Sequence, residues 1–322
     1  MPTQTSSEAP SQDAIRAANT LISRHIRRTP LLNLPHGAFG IENPISLKLE
    51  FLQHAGSFKS RGAFYSLLSQ QVPAAGVTAA SGGNHGAAVA YAARMLGHRA
   101  RIFVPEISSP SKIAKIREFG AEAVVGGARY DDAQAACDAY AAASGALKIH
   151  PFGAWATMTG QATTALEWQE QLAREELPPL DVALVAVGGG GLIGGMGCWW
   201  RGHTRLVGVE PEGSCALHAA LEAGHPVDVG VDSIAADSLG ARNVGDKVFA
   251  AARIGIGEVM LVSDEAIRAA QKLLWSEFRI AAEPGGATAL AALLSGRYRP
   301  APEAHVGVLV CGANVDPATL AA

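Results

Sequence analysis

The apolar positions change period along the chain, and the changes mark out its elements. Over residues 11–26, Ile15, Leu21, Ile22 and Ile26 recur at helical spacing among alanines, and the run closes in Arg27-Arg28-Thr29-Pro30, where proline stops a helix. Residues 45–51 alternate as a strand does, and 62–68 return to the helical period. From Val77 short apolar strands alternate with alanine-rich helices: strand 77–80 with helix 84–96, strand 100–104 with helix 109–119, strand 123–125 with helix 130–143, then strand 147–150. A second set follows, with helix 159–173, strand 182–187, helix 192–200, strand 206–210 and helix 214–223. A strand at Val259, helices 264–278 and 286–294 and a strand over 306–311 end the pattern. Such alternation requires right-handed crossovers and a parallel sheet covered on both faces. The expected fold class is therefore α/β. Residues 230–245 are too rich in Gly, Asp and Ser for a core, and loops of that length are usually functional or mobile.

Composition narrows the function. With 322 residues, 48% hydrophobic and 17% charged, the chain can bury a large core as one two-lobed unit or two domains. A formal net charge of -3 leaves no electrostatic footprint for nucleic acid or an anionic membrane. Residues 1–11 lack a basic segment followed by an apolar one, and no apolar run approaches the length that spans a bilayer, so a soluble, cytoplasmic protein is expected. Cys137, Cys198, Cys215 and Cys311 lack CxxC spacing, which argues for reduced thiols and against a disulfide framework or a zinc site.

Four stretches carry candidate chemistry. In Gly56-Ser57-Phe58-Lys59-Ser60-Arg61-Gly62 a lysine stands between small residues, just after a strand and before a helix. Burial lowers an amine's pKa and frees its lone pair for a carbonyl; the plain alternative is a solvated turn lysine. The strand 182–187 runs into Gly188-Gly189-Gly190-Gly191-Leu192, where backbone amides can converge on an anion at the following helix N-terminus. A flexible linker would fit poorly between such tightly flanking apolar segments. Gly189, Gly191 and Gly194 also match GxGxxG, with Glu210 about 20 residues on, so a nicotinamide-dinucleotide oxidoreductase passes its own test here. That reading gives no role to Lys59 or to the next stretch. Ser81-Gly82-Gly83-Asn84-His85-Gly86 opens a helix after a short strand, and can hold a carboxylate and a phenolic oxygen; an ordinary turn capped by Asn is the alternative. Strand 306–310 delivers Cys311-Gly312-Ala313-Asn314 at its carboxyl end, the edge where parallel sheets bind ligands. A nucleophilic lysine, a phosphate cradle and a carboxylate turn together suit pyridoxal phosphate.

On these motifs, with Gly160-Gln161 and Glu283-Pro284 in the same order and spacing, the chain resembles the serine/threonine dehydratase family of fold-type II pyridoxal-phosphate enzymes, related to serine racemase. The likeness runs from Arg28 to Asp316. It implies two lobes, each an open twisted mostly parallel sheet: a large cofactor-binding one of residues 1–66 and 153–322, and a small mobile one of 67–152 that closes over the substrate. It further implies that Lys59 forms the Schiff base, that Phe58 and Asn84 contact the ring and its phenolic oxygen, and that Gly188, Gly189, Gly190, Gly191 and Leu192 bind the phosphate. Cys311 would face the pyridine nitrogen, with Glu283 in the cofactor site, and Ser81, Gly82, Asn84 and His85 would hold the substrate carboxylate. The implied reaction is α,β-elimination from an L-3-hydroxy amino acid to a 2-oxo acid and ammonia, in a homodimer that binds no nucleic acid or membrane.

Three departures from the family pattern matter. Racemases of the family carry a serine after the residue matching Ser81, and this chain has Gly82, which argues against an amino-acid racemase. After His150-Pro151-Phe152 the chain has Gly153-Ala154-Trp155 in place of an acidic or amide pair and a proline, leaving room for a substrate bulkier than serine, such as 3-phenylserine or 3-hydroxyaspartate. Glu210 matches one acid of the family's divalent-cation site, but the second is replaced by Ala216, so support for a divalent or monovalent cation is weak. No regulatory domain is expected after Ala322.

Overall fold

The computed structural model describes residues 8–316. Helix α1 (Gln12–Ile22) starts where the Ser11 hydroxyl accepts from the Ala14 amide, and it buries Ile15, Ala18 and Ile22 along one stripe. It ends short of Ile26 because the backbone of Arg27 is claimed elsewhere: its amide donates to the Gln53 side chain at 2.9 Å and its carbonyl accepts from the same side chain at 2.8 Å. Strand β1 (Leu31–Leu34) pairs antiparallel with β2 (Ile45–Lys48). The expected strand 45–51 is cut at Lys48, after which a 3-10 turn over Glu50–Leu52 buries the Glu50 side chain. Helix α2 (Lys59–Leu68) follows, with Lys59 as its first residue.

The next seven elements build the smaller sheet: β3 (Val77–Ala80), α3 (Asn84–Met95), β4 (Ala100–Val104), α4 (Pro110–Glu118), β5 (Glu122–Val125), α5 (Tyr130–Ser144) and β6 (Leu147–Lys148). Its four strands run parallel in the order β5-β4-β3-β6. The chain returns through α6 (Trp155–Arg174), β7 (Val182–Ala186), α7 (Gly191–Trp200), β8 (Arg205–Pro211), α8 (Ala216–Ala223), α9 (Ala236–Leu239), α10 (Gly245–Gly255), β9 (Glu258–Val262), α11 (Asp264–Phe278), α12 (Pro284–Leu294) and β10 (Val306–Leu309). The larger sheet has the order β1-β2-β10-β7-β8-β9, and β1 alone is antiparallel.

Two differences from the apolar pattern have local causes. The polar stretch 230–245 holds the short α9, and α10 begins at its end, burying Val248, Ala251 and Ala252 on a face that interrupting polar residues disguise. Helix α6 starts four residues earlier than its period suggests, because Trp155 and the threonines of its first turn join it, with the Thr159 hydroxyl donating to Trp155 O at 2.7 Å.

A large core forms around β7, β8, β10, α6, α7 and α12, and a second around β3, β4 and α3. Ile22 of α1 and Phe64 and Leu67 of α2 belong to the second core, although both helices also lie against α6. At the crossing of α2 with α6 the backbones nearly touch: a Cβ on Gly160 would stand 2.7 Å from Gly62 Cα. No helix among the described residues is long and apolar enough to cross a membrane.

Candidate active site

Lys59 owes its position to the end of β10. Beyond β2 the chain makes a tight turn through Ala55 (φ 58°) and Gly56 (φ 75°), then Ser57 bridges to Gly312 and the Phe58 amide donates to Cys311 O at 3.1 Å. The lysine side chain, half-buried, donates from Nζ to Pro151 O at 2.8 Å and has no ion-pair partner among the described residues. Crowding by protein atoms pulls its pKa from 10.5 down to about 8, against a smaller opposite pull from Cys311 and Glu283. Its place at the first position of α2 disfavours the cation further, since the positive end of the helix dipole lies there.

The glycine turn lies opposite. Gly190 has φ +74°, a left-handed conformation that favours glycine, and a Cβ there would meet Val248 Cγ1 at 2.4 Å. Cβ atoms on Gly189 and Gly191 would strike Phe152, at 2.2 Å from the ring and 2.6 Å from its carbonyl oxygen. The first amide of the turn to find a carbonyl is that of Gly194, to Gly190 O at 2.9 Å, so the amides before it are free of a protein acceptor among the described residues. Those amides sit at the N-terminus of the ten-residue α7, a donor set made for a phosphate.

Between these walls runs one cleft lined by Phe58, Lys59, Asn84, Phe152, Ala186, Gly188, Gly189, Gly190, Gly191, Leu192, Ser238, Leu239, Glu283 and Cys311. All ten residues expected at the cofactor thus face one space. The Asn84 side chain donates to Glu283 Oε1 at 2.5 Å and accepts from Asn314 Nδ2 at 2.7 Å, and Asn314 also donates to Ala55 O at 2.7 Å. This chain ties the N-terminus of α3 to the lysine turn. Burial raises the Glu283 carboxyl above its ordinary range and pushes the Cys311 thiol far up, so the thiol is neutral. Its Sγ donates to Gly285 O at 3.4 Å.

The carboxylate turn is arranged differently from its reading in the sequence. The Ser81 hydroxyl accepts from the Gly83 amide at 3.1 Å. His85 is buried, and its Nε2 donates to Ile149 O at 2.9 Å; desolvation, aided by nearby Lys59, lowers its pKa to about 3, so the ring is neutral and spent on the backbone. His150 is likewise lowered to about 4, chiefly by desolvation, and its Nδ1 accepts from the amides of Phe152 and Gly153 at 3.2 and 2.8 Å.

Glu210 is buried at the end of β8, and its two oxygens accept from the amides of Leu217 and His218 at 3.0 and 2.8 Å. It caps α8. Each carboxylate oxygen thereby serves the start of α8, and the described residues hold no group of three or more His, Cys, Asp or Glu that could bind a metal.

Sequence reasoning passed over Phe152, Ala186, Ser238 and Leu239, which also line this cleft, although the polar stretch that carries the last two stood out. It also passed over a buried ionic group beneath α2. Arg61 donates to Glu50 from Nε at 2.8 Å and from its terminal nitrogen at 2.7 Å, and pairs with Glu167 at 3.0 Å. Lys48 donates to Glu167 at 2.6 Å, Gln171 at 2.6 Å and Thr29 O at 2.8 Å.

Comparison with known proteins agrees with this geometry. The chain is 37% identical over 320 residues to a phenylserine dehydratase of Ralstonia pickettii, covering 97% of this chain and 95% of that one. It is 37% identical over 311 residues to an L-threonine ammonia-lyase of Geobacter sulfurreducens, covering 95% and 76%. Among solved structures, maize serine racemase superposes with a TM-score of 0.90 at 31% identity, covering 97% of this chain and 96% of that one. Residues 22–312 match the family described as pyridoxal-phosphate dependent enzyme. An amine free of ion pairs and an amide cradle for a phosphate on one cleft suit that cofactor, and the chain belongs to the pyridoxal-phosphate-dependent enzyme family, with the fold of its type II members.

Proposed function

We propose that the enzyme is a dehydratase that converts an L-3-hydroxy amino acid to a 2-oxo acid and ammonia. The observation that carries this reading is the cleft itself, on which Lys59, with no ion-pair partner among the described residues, meets the free amides of the glycine turn and the Cys311 thiol. Bound there, pyridoxal phosphate supplies an aldehyde that condenses with amines and a ring that draws electron density from Cα. Lys59 would hold it as a tether and, once displaced by the substrate amine, would accept the Cα proton on Nζ. Gly188 to Leu192 would present amides to the phosphate, and Asn84, held between Glu283 and Asn314, would face the ring. Cys311, as a neutral thiol, would offer the pyridine nitrogen no acidic proton, which favours loss of the β-hydroxyl; the hydroxyl would leave as water, its added proton balancing the one that Nζ takes from Cα. The enamine so released takes up one water and yields the 2-oxo acid and ammonia.

The lobe boundaries proposed at residues 66/67 and 152/153 place Lys59 in the larger lobe and the Ser81 to Gly86 turn in the smaller. The run Gly153-Ala154-Trp155, in place of an acidic or amide pair and a proline, supports a substrate bulkier than serine, as does the likeness to a phenylserine dehydratase over nearly the whole chain.

The test is a panel: purified holoenzyme with L-serine, L-threonine, 3-hydroxyaspartate and 3-phenylserine, scored for 2-oxo acid and ammonia. Equimolar release is expected, with the highest kcat/KM on 3-phenylserine. No keto acid from any member would overturn the reading, and accumulation of the opposite enantiomer without ammonia would replace it with racemisation.

A further inference from the structure

Gly82 is not required by its backbone, which lies outside the left-handed region, but by a neighbour. A Cβ there would stand 1.8 Å from Ser108 Oγ, 2.6 Å from Ser108 Cβ and 3.1 Å from Val104 Cγ1. The space that a side chain at 82 would take is therefore filled by a serine from the loop between β4 and α4. Ser108 is half-buried; its amide donates to Pro105 O at 3.0 Å, while its hydroxyl has no protein partner among the described residues.

This hydroxyl lies beside the turn that opens α3, whose first residue, Asn84, lines the cleft. A Cβ on Gly83 would meet Asp237 O at 3.3 Å, so the 82–83 turn is held between Ser108 on one side and α9 on the other. From α4, just beyond Ser108, Lys112 pairs with Asp237 and Lys115 Nζ donates to Asn314 at 3.3 Å. Of the other polar side chains of the turn, Asn84 bonds Glu283 and Asn314, His85 bonds Ile149, and the Ser81 hydroxyl accepts from the Gly83 amide and keeps its own proton to donate. A carboxylate docking at this turn would meet the Ser108 hydroxyl, which has no protein partner among the described residues, as a second hydroxyl donor beside Ser81.

We propose that Ser108 binds the α-carboxylate of the substrate, its hydroxyl supplying the donor that Gly82 lacks. This rests on the 81–86 turn being the carboxylate site, which is part of the function proposed above. A hydrogen bond to a charged group makes the expected effect of Ser108→Ala a rise of about tenfold or more in KM and in the dissociation constant of L-alanine. Alanine has no β-leaving group, so its binding, read from the cofactor absorption, needs no elimination. The kcat should change less than KM, and the thermal midpoint should stay close to that of the parent enzyme. Gly82→Ser alone, driven into Ser108, should lower the thermal midpoint and weaken alanine binding; Gly82→Ser with Ser108→Gly, which moves the hydroxyl to the other side of the same space, should restore both.

An unchanged alanine dissociation constant in Ser108→Ala would overturn the proposal, leaving Ser108 as a space-filler. So would a double variant that regains stability without regaining alanine affinity. If the parent binds alanine but releases no keto acid from any hydroxy amino acid, the dehydratase reading fails, and the role of Ser108 is decided by the alanine constants alone.

Discussion

Lys59 and Arg61 stand two residues apart on the first turn of α2, and their environments have opposite effects on charge. Arg61 is completely buried, yet the carboxylates of Glu50 and Glu167 hold its guanidinium charged, above the ordinary arginine range, against a desolvation that alone would lower it. Lys59 is only half-buried, but no carboxylate pairs with it and its pKa falls to about 8. Crowding penalises both cations; the presence of close anions decides which one keeps its proton. One helix turn thus carries a group fixed as a cation beside an amine that no close anion holds charged.

The sharpest break in this comparison is Lys59→Ala. Loss of the proposed base and tether should lower keto acid release by about 10²–10⁴-fold, while the urea midpoint of the apoprotein stays unchanged; a fall in that midpoint would give the lysine the architectural role instead. Glu167→Ala should do the reverse to the neighbouring group. It strands Lys48 and half of the Arg61 pairing in a dry site, at a cost of about 3–5 kcal/mol of unfolding free energy, and a loss under 1 kcal/mol by denaturant titration would show the group to be wet or redundant.

Cys311→Asp would make the surroundings of Lys59 resemble those of Arg61. A carboxylate near the amine should raise the lysine pKa by about 1–3 units. In the parent, reaction of apoprotein with pyridoxal phosphate should slow as pH falls through about 8, because the protonated amine has no lone pair to offer; in the variant that inflection should move to higher pH, and an unmoved profile would exclude Cys311 as a neighbour that matters. The smallest effect belongs to Glu210. Burial raises its carboxyl from 4.5 to about 7, so the native state holds an extra proton between those values and stability should decline as pH rises through that window. Glu210→Gln should flatten that slope in thermal melts, and an unaltered slope would place its origin elsewhere.

Much of the fold was legible because strand and helix periods alternate so regularly in the β3 to β8 stretch. The polar-flanked helix α10 was hidden, since its three buried positions are diluted by Asp246, Lys247 and Arg253. The glycine turn stood out by residue type, and Lys59 by its place in order with the glycine, Ser81 and Cys311 stretches. Ser108 did not: a serine in a loop has no distinguishing pattern, and its proximity to Gly82 exists only after β3 and β4 pair. The ionic group under α2 was equally invisible, because Glu50 and Arg61 become partners only when the expected strand breaks at Lys48 and turns the carboxylate inward. Glu210 was misleading in a different way, for its spacing after the glycines fits a ribose ligand and its oxygens turn out to be occupied by the amides of α8.

Three consecutive residues join β6 of the smaller sheet to the approach of α6: His150 steadies the bend through its ring nitrogen, Pro151 receives the Lys59 amine, and Phe152 leans on Gly189 and Gly191. The amine's hydrogen-bond acceptor and the aromatic wall of the glycine turn are thus adjacent residues of one short connection, so a change in that connection reaches both sides of the cleft at once.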